Sequence, residues 1–201
     1  MASPVEIFNS ALIKLVVEPI QSFSDDSKQA RIGNEQFNKI RDKLLASHYW
    51  NFAMKRSAEL AVVSASPPEF GFSLKYQLPV DVIRVMHLNV KTARFKVEQN
   101  RFLHTNVSGA KILYVAKEAD VSKYSPMFSE LLALELAIDT CMALTQKRTL
   151  RADLVIDRKD AIRDARSADG QEGTNDELMS DVWLNARVSG PTGDFLFDES
   201  V

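Results

Sequence analysis

Cysteine is almost absent from the chain, because Cys141 is the only one among 201 residues. A single cysteine excludes an internal disulfide. Cys141 lies within an apolar run of helical spacing, which is typical of a buried reduced thiol rather than a metal ligand or a nucleophile. The sequence therefore predicts a protein that folds without disulfides, and we expect the cytosol as its compartment.

An excess of charge of either sign is also missing. The 25 Lys and Arg residues nearly balance 27 Asp and Glu residues, which gives a formal net charge of −2 and a pI near 6.0. Proteins dedicated to nucleic acid or to anionic membranes usually carry a basic excess. We therefore expect no global attraction to either, and we expect any DNA contact to be local or repulsive.

No long hydrophobic run is present. The most apolar long segment, residues 127–144, is interrupted by serine and acidic residues, so it is too polar to span a bilayer. The N-terminus has no basic region and no small-residue cleavage site, so we expect no secretory signal. A chain of this length with 45% hydrophobic residues can bury the core of one ordinary domain with extensions. We interpret it as a soluble protein.

Catalytic motifs are missing as well. The chain has no phosphate-binding loop G-x-x-x-x-G-K-[ST], no G-x-G-x-x-G, H-E-x-x-H or C-x-x-C, no EF-hand loop and no G-x-S-x-G. The histidines, His48, His87 and His104, have no partner four residues away that would make a metal-binding helix face. We predict no catalytic, cofactor-binding or metal-ligating residue and no cofactor. One alternative stays open, an enzyme whose site assembles from dispersed residues such as His87, His104 and Asp81.

Two helices are predicted at the N-terminus. Ser3-Pro4-Val5-Glu6 combines a capping box with proline at the first helical position, and we expect this helix to continue until Pro19 stops it. The second helix is predicted to begin near Asp25, Asp26 or Ser27 and to run to about His48. Charged residues between its apolar positions predict a solvated or intersubunit face, made of Lys28, Arg31, Lys39, Arg41, Asp42 and Lys43.

From Trp50 to about Ala116 the apolar spacing changes toward period two. This pattern predicts a small sheet, whose clearest strand is residues 82–90. Arg84 shares an apolar face of that strand, and it is either satisfied at a strand edge or part of a subunit contact. Strict alternation would place Val82, Met86, Leu88 and Val90 on one face and Ile83, Val85, His87 and Asn89 on the other.

Two further helices are predicted after the strands. Ser125-Pro126 begins the third helix by the same combination of cap and proline. Its apolar residues occupy nearly the whole circumference as far as Leu144, so we expect it to be the buried centre of the bundle. The apolar density then falls, which predicts a kink or turn between Thr145 and Thr149. An amphipathic final helix follows, marked by Leu150, Leu154, Ala161, Ala165 and Ala168.

Charges of both signs alternate along the final helix. A helix that reads DNA would clear acids from its phosphate-facing side, so this pattern favours a mixed charged surface. The same residues could form salt bridges between subunits if the helix lies at an interface. This candidate intersubunit belt consists of Arg151, Arg158, Asp160, Arg163 and Arg166.

Residues 171–201, the C-terminal arm, differ in composition from the rest of the chain. Acidic residues dominate this segment and Arg187 is its only basic residue. A disordered tail is usually poor in large apolar groups, yet this segment is rich in them. We predict that it docks on a neighbouring chain, with folding back on its own domain as the alternative. The candidate contact residues are Leu178, Met179, Trp183, Leu184, Phe195 and Phe197.

Together these patterns predict an α+β protein that is mainly α. We expect a helical bundle with a small antiparallel β-sheet inserted between the second and third helices, plus an extended C-terminal arm. The predicted boundaries are residues 1–49 for the first helices, 50–124 for the inserted β domain, 125–170 for the last helices and 171–201 for the arm.

Several segments, in order, resemble the head-to-tail adaptor family (tail tubular protein A) of short-tailed bacteriophages. The most specific of them is Tyr76-Gln77-Leu78-Pro79 with Asp81 and Arg84-Val85. The resemblance covers residues of about 8–173. Family members often carry glycine before a Glu-Pro turn, where this chain has Val17. The other matching segments are residues 11–20, 23–31, 41–45, 50–56 and 165–173.

The resemblance implies a non-enzymatic virion protein that forms a ring of twelve copies beneath the portal, extends the DNA channel and receives the tail nozzle. It implies as partners the portal protein, a nozzle protein like tail tubular protein B and other copies of this chain. Double-stranded DNA would be transiting cargo only, and no membrane is implied. The location would be the head–tail junction of the virion, after assembly in the host cytoplasm. The arm residues named above are then candidate portal or neighbour-subunit contacts. Another tail stopper or completion protein is the alternative.

Overall fold

Four helices and six strands follow one another so that every strand lies between the second and third helices. The structure is a computed structural model, and it describes residues 3–64 and 68–172. The predicted class, α+β and mainly α, is confirmed. The helices are α1 (Pro4–Lys14), α2 (Lys28–Ala46), α3 (Pro126–Leu144) and α4 (Arg148–Gln171). The strands are β1 (Met54–Arg56), β2 (Leu74–Gln77), β3 (Val82–Leu88), β4 (Phe95–Glu98), β5 (Phe102–Thr105) and β6 (Ile112–Ala116).

Serine side chains cap the first three helices, as their sequences predict. In α1 the Ser3 backbone N–H donates to the Glu6 carboxylate at 2.7 Å, and the Glu6 N–H donates to the Ser3 hydroxyl at 3.1 Å. The Ser27 hydroxyl accepts from the Ala30 N–H at the start of α2. Ser125 caps α3 in the same way, with proline at the first position of that helix. These bonds satisfy backbone donors that a helix N-terminus leaves without partners.

The first helix ends earlier than predicted, at Lys14 rather than at Pro19. Val16 has φ of +58°, and the Val17 N–H donates to the Leu12 carbonyl at 3.0 Å, which together form a Schellman end. The Asn9 side chain then bonds both the N–H and the carbonyl of Ile20, at 2.9 and 2.8 Å. Pro19 therefore lies in a segment that folds back on α1, and the helix stop is a left-handed valine where glycine is the usual residue.

Helix α3 is the centre of the helical body, as its all-round apolar pattern predicted. It packs against α1, α2 and α4. Lys14 at the end of α1 pairs with Glu130 near the start of α3, so these two helices are antiparallel. The predicted break after α3 is a turn through Gln146, which has φ of +57°. The buried residues of α3 include Phe128, Leu131, Leu132, Leu136, Ala137 and Cys141.

An aromatic cluster joins both ends of the inserted strands to α3. The indole N–H of the fully buried Trp50 donates to the Leu44 carbonyl at 3.0 Å, which satisfies an acceptor at the end of α2. Trp50 also meets Phe128 edge to face, with ring centroids 5.0 Å apart. Phe128 contacts Phe52 at 4.7 Å and Tyr124 at 5.0 Å. Because Phe52 precedes β1 and Tyr124 follows β6, the cluster ties entry and exit of the insertion to one helix.

The strands form two antiparallel three-stranded sheets, where the sequence pattern predicted a single one. Their orders are β1-β6-β3 and β2-β5-β4. All five residues of β6 are buried. Ile112, Tyr114 and Ala116 join a core that they share with Tyr76 and Leu103 of the second sheet. Val115 joins the helical core instead. Strand β6 therefore separates two hydrophobic cores and contributes side chains to both.

The predicted alternation along residues 82–90 is wrong, because β3 ends at Leu88 and its pairing with β6 shifts register twice. Such bulges insert a residue and break the period of two. Val82, Val85 and Leu88 consequently contact the core between the sheets, while Ile83 packs on the helical core.

Arg84 lies on β3, an edge strand of its sheet. Its guanidinium lies over the Tyr49 ring, 4.5 Å from the ring centroid. The guanidinium thus has a partner within the chain, and because Arg84 is exposed, a subunit contact stays a prediction.

We predict that Val16→Gly stabilises the protein. A β-branched residue in the left-handed region costs about 1–2 kcal/mol, and relief of that strain exceeds the extra chain entropy of glycine. We expect the free energy of unfolding in urea to rise by about 0.5–1 kcal/mol. The matched control is Val80→Gly, since Val80 is fully exposed but is not among the residues of positive φ. That variant should lose stability or stay unchanged, and a loss in Val16→Gly as well would contradict the strain.

Candidate assembly surfaces

Helix α4 turns most of its surface to solvent. It has 24 residues, of which only Leu154, Ala165 and Asp169 are buried. Two aliphatic residues lie among the charges of its exposed side, with Ile156 62% and Val155 36% exposed. A surface helix normally keeps large aliphatic groups on its buried stripe. The exposed pair therefore marks this side of α4 as a candidate contact surface.

The predicted charged belt lies along α4, but its members differ in what they contact. Arg163 is exposed and pairs within the helix with Asp160 at 3.2 Å and with Asp164 at 3.3 Å. Arg166 donates to the Ser47 carbonyl at 3.3 Å. Arg151 is exposed and makes no ion pair with any residue that the structure describes. Arg151 and the Asp160–Arg163 pair are thus the members that remain open to a neighbouring molecule.

Arg158, the remaining member of the belt, is used inside the chain. Its guanidinium bonds the carboxylate of Glu135, a residue of α3 that is only 6% exposed. A buried carboxylate without a partner would be expensive, and Arg158 neutralises it. A cleft of about 40 Å³ opens beside this pair, lined by Ile40, Lys43, Leu44, Ser47, Glu135 and Arg158. The pair therefore fixes α4 on α3, so the guanidinium of Arg158 already has a partner within the chain.

The last turn of α4 is fastened to the segment before β1. The buried Asp169 carboxylate accepts the Asn51 backbone N–H at 2.9 Å and lies 3.3 Å from the His48 Nε2. The Asn51 side chain donates in return to the Asp169 carbonyl at 2.5 Å. A negative residue is unfavourable at a helix C-terminus because of the helix dipole. These contacts explain why an aspartate is tolerated at this end of α4. They also fix the last turn of the helix, which precedes the arm.

His48 has a depressed pKa. Burial lowers it most, Asp169 raises it, and the nearby Arg166 lowers it further. The ring also contacts Trp50 edge to face, with centroids 4.9 Å apart. His48 is thus held mainly as the neutral imidazole in the folded protein near neutral pH.

The outer face of the β2-β5-β4 sheet combines cations with an aromatic ring. Lys75 Nζ lies 4.1 Å from the Phe102 ring centroid, and the Arg101 guanidinium lies 5.7 Å from it. Lys96 pairs with Glu98 at 3.0 Å, and its hydrogen bond lowers the pKa of that carboxyl. The register places Lys75 and Lys96 on either side of His104. We call Lys75, Lys96, Arg101 and Phe102 the cationic face.

The three residues named for a possible dispersed enzyme site, His87, His104 and Asp81, each interact with different residues. Asp81 accepts a hydrogen bond from the Tyr114 hydroxyl at 3.2 Å and forms an ion pair with Lys55. Burial, and after it the negative charge of Asp81, raises the pKa of Tyr114 to about 12. His87 bonds the Leu88 carbonyl, and His104 faces Glu98 at 3.6 Å.

Within residues 3–64 and 68–172, no three His, Cys, Asp or Glu side chains are grouped to hold a metal ion. No helix in that part of the chain is long and apolar enough to cross a membrane.

The arm residues proposed as partner contacts lie outside the described residues: Leu178, Met179, Trp183, Leu184, Phe195 and Phe197. The sequence reasoning missed Asp169 and the cationic face. A signal existed for Asp169, since an acid in the last turn of a helix opposes the dipole. The cationic face follows from strand register, which period-two spacing alone does not provide.

No protein-family model matches this chain, and a search of curated proteins finds no match. The resemblance to head-to-tail adaptors therefore depends on the quoted segments and their order alone.

We predict that Arg158→Ala destabilises the protein by about 1–3 kcal/mol, because it leaves the buried Glu135 carboxylate without its partner. Arg151→Ala is the matched control on the same helix and should change the free energy of unfolding by no more than about 0.5 kcal/mol. Urea unfolding measures both. Equal effects of the two substitutions would show that the Glu135 pair contributes nothing.

We predict that imidazole NMR titration finds the His48 pKa below its ordinary value of about 6.5. The unfolded chain then binds a proton that the folded chain rejects, so His48 makes stability fall as the pH drops through that value. Asp169→Asn should lower the His48 pKa further, because the carboxylate that raises it is removed. A rise of the His48 pKa in the variant would refute this description of the site.

Proposed function

We propose that the chain is a structural virion protein, the ring-forming head-to-tail adaptor of a short-tailed bacteriophage. In this role it docks on the portal protein, extends the DNA channel and provides the attachment site for the tail nozzle. The observation that carries the proposal is the outer side of α4, where exposed aliphatic groups lie among charges of both signs. The ordered sequence segments support the same role.

The outer side of α4 suits contact between identical copies. A ring repeats one contact between two different surfaces of the subunit, and such a contact needs apolar anchors with a polar rim. Ile156 and Val155 supply apolar anchors. Arg151 and the exposed Asp160–Arg163 pair supply a rim of both signs. A rim of mixed charge also gives specificity of orientation rather than affinity for DNA.

The most specific matching segment contributes to the fold rather than to a site. Tyr76 and Leu78 are buried between the two sheets. Asp81 accepts from Tyr114 of β6, and Arg84 covers Tyr49. Because this segment makes contacts that stabilise the fold, its resemblance supports a common architecture for the adaptor family and this chain. The proposal of portal and nozzle as partners comes from that likeness.

The arm and the near-neutral charge fit the proposed position. An acidic segment rich in aromatic residues is suited to reach a neighbouring subunit or the portal. A channel component that gripped phosphate would slow the passing DNA, and the formal net charge of −2 gives no such grip. The proposed location is the head–tail junction of the virion, after assembly in the host cytoplasm.

The test mixes the purified chain with its cognate portal assembly and measures the mass of the complex. We expect twelve copies on one portal. Ile156→Asp should abolish the ring, because it places a charge at the centre of the proposed contact. Ile13→Asp is the matched control, since Ile13 is 66% exposed on α1. That variant should still form the ring.

A chain that stays monomeric beside an intact portal would refute the adaptor role. A ring of another size without portal binding would favour the alternative of a tail stopper or completion protein. Turnover in a hydrolase or nuclease screen that His87→Ala or His104→Ala abolishes would favour the enzyme alternative.

A further inference from the structure

Charge is distributed unevenly along this nearly neutral chain. Residues 50–116 contain nine Lys and Arg residues and four Asp and Glu residues, whereas residues 173–201 contain one basic and six acidic residues. The inserted β region therefore carries a net charge of +5, and residues 173–201 carry −5. Opposite charges of this size on one chain attract each other at physiological salt over about 8 Å.

Three of the basic residues of the β region lie together on one surface, the cationic face. The Lys96 side chain is 66% exposed, and Arg101 is exposed as well. Both Lys75 and Arg101 approach Phe102, so cations surround an aromatic ring. Such a surface matches a partner that supplies carboxylates together with aromatic side chains.

The cationic face also adjoins an open sheet edge. On the β2 side, residues 61–63 cover the edge of the sheet. The Val63 N–H donates to the Lys75 carbonyl, and the Gln77 N–H donates to the Ala61 carbonyl. On the other side, β4 pairs with β5, and no other strand in the described part of the chain pairs with it. An open edge presents backbone donors and acceptors that an extended segment can use.

We propose that in the free chain the acidic segment 176–199 docks on the cationic face of the same molecule. The arm departs from the turn of α4 that Asp169 and Asn51 hold beside the start of β1. Residues 173–201 can span up to ~95 Å at ~3.3 Å per residue, far more than the ~40 Å diameter of a domain this size. A tethered segment meets its own domain at an effective concentration in the millimolar range, so the same molecule competes well against a second copy.

Nucleic acid is the other polyanion that meets cations and aromatic rings on a sheet. One observation favours the arm. Phe102 is the single aromatic on the outer face of the paired strands, whereas stacking platforms offer successive rings to successive bases. The inference stands independently of the adaptor role, because it concerns the free chain without a portal.

The experiment crosslinks full-length chain at low micromolar concentration with a water-soluble carbodiimide, which joins lysine to carboxylate. Equal amounts of ordinary and ¹⁵N-labelled chain are mixed, and peptides are mapped by mass spectrometry. We expect Lys96 to be joined to a carboxylate of segment 176–199, with both peptides from the same isotopic form. Mixed-isotope links would assign the contact to a second copy and would overturn the proposal.

Arg94→Glu with Arg101→Glu reverses one charge of the cationic face and one charge next to it while leaving Lys96 as reporter, and it should lower the yield of the Lys96 crosslink severalfold. Arg31→Glu with Arg151→Glu makes the same change at exposed helical positions and should leave the yield unchanged. Equal yields in both variants would overturn the proposal. So would binding of a single-stranded DNA oligomer to the wild-type chain that the first variant alone abolishes.

Discussion

The burial of β6 on both faces is the constraint on which the rest of the structure depends. Ile112, Tyr114 and Ala116 close the core between the sheets, and Val115 closes the helical core. Because successive residues of a strand point to opposite faces, five residues are enough to couple the two cores. Strands β1 and β3 flank β6, and the aromatic cluster around Phe128 holds both ends of the insertion. The β1-β6-β3 sheet is therefore packed on the helical body, and the β2-β5-β4 sheet packs on that sheet through the second core.

This arrangement leaves particular surfaces for partners. All five residues of β6 and 11 of the 19 residues of α3 are buried, so most of the surface that is open to other molecules lies on the remaining elements. Helix α4 offers exposed aliphatic residues among mixed charges, and the β2-β5-β4 sheet offers cations around Phe102. The Glu135–Arg158 pair and the Asp169 contacts fix α4 at its middle and at its end. A rigid outer helix suits a subunit that must present the same surface in every copy of a ring.

Local chemistry explains what could be predicted from the sequence. Ser3, Ser27 and Ser125 act through bonds to residues three positions away, and the all-round apolar pattern of α3 is visible in its sequence. Tertiary effects account for what could not. Two bulges in β3 shift its faces, and the left-handed Val16 ends α1 before Pro19. Arg41, expected on an exposed face, is buried, with its guanidinium bonded to Asp42. The partners of Arg158 and Asp169 lie 23 and 118 residues away, beyond any local pattern.

The central claim is that this chain forms the ring between portal and nozzle. The most direct measurement is a density map of the head–tail junction of intact virions, with the structure fitted to the layer beneath the portal. We expect twelve copies in that layer, with the exposed aliphatic side of α4 against the adjacent copy. A layer whose density fits another fold, with this chain elsewhere in the particle or absent from it, would contradict the account.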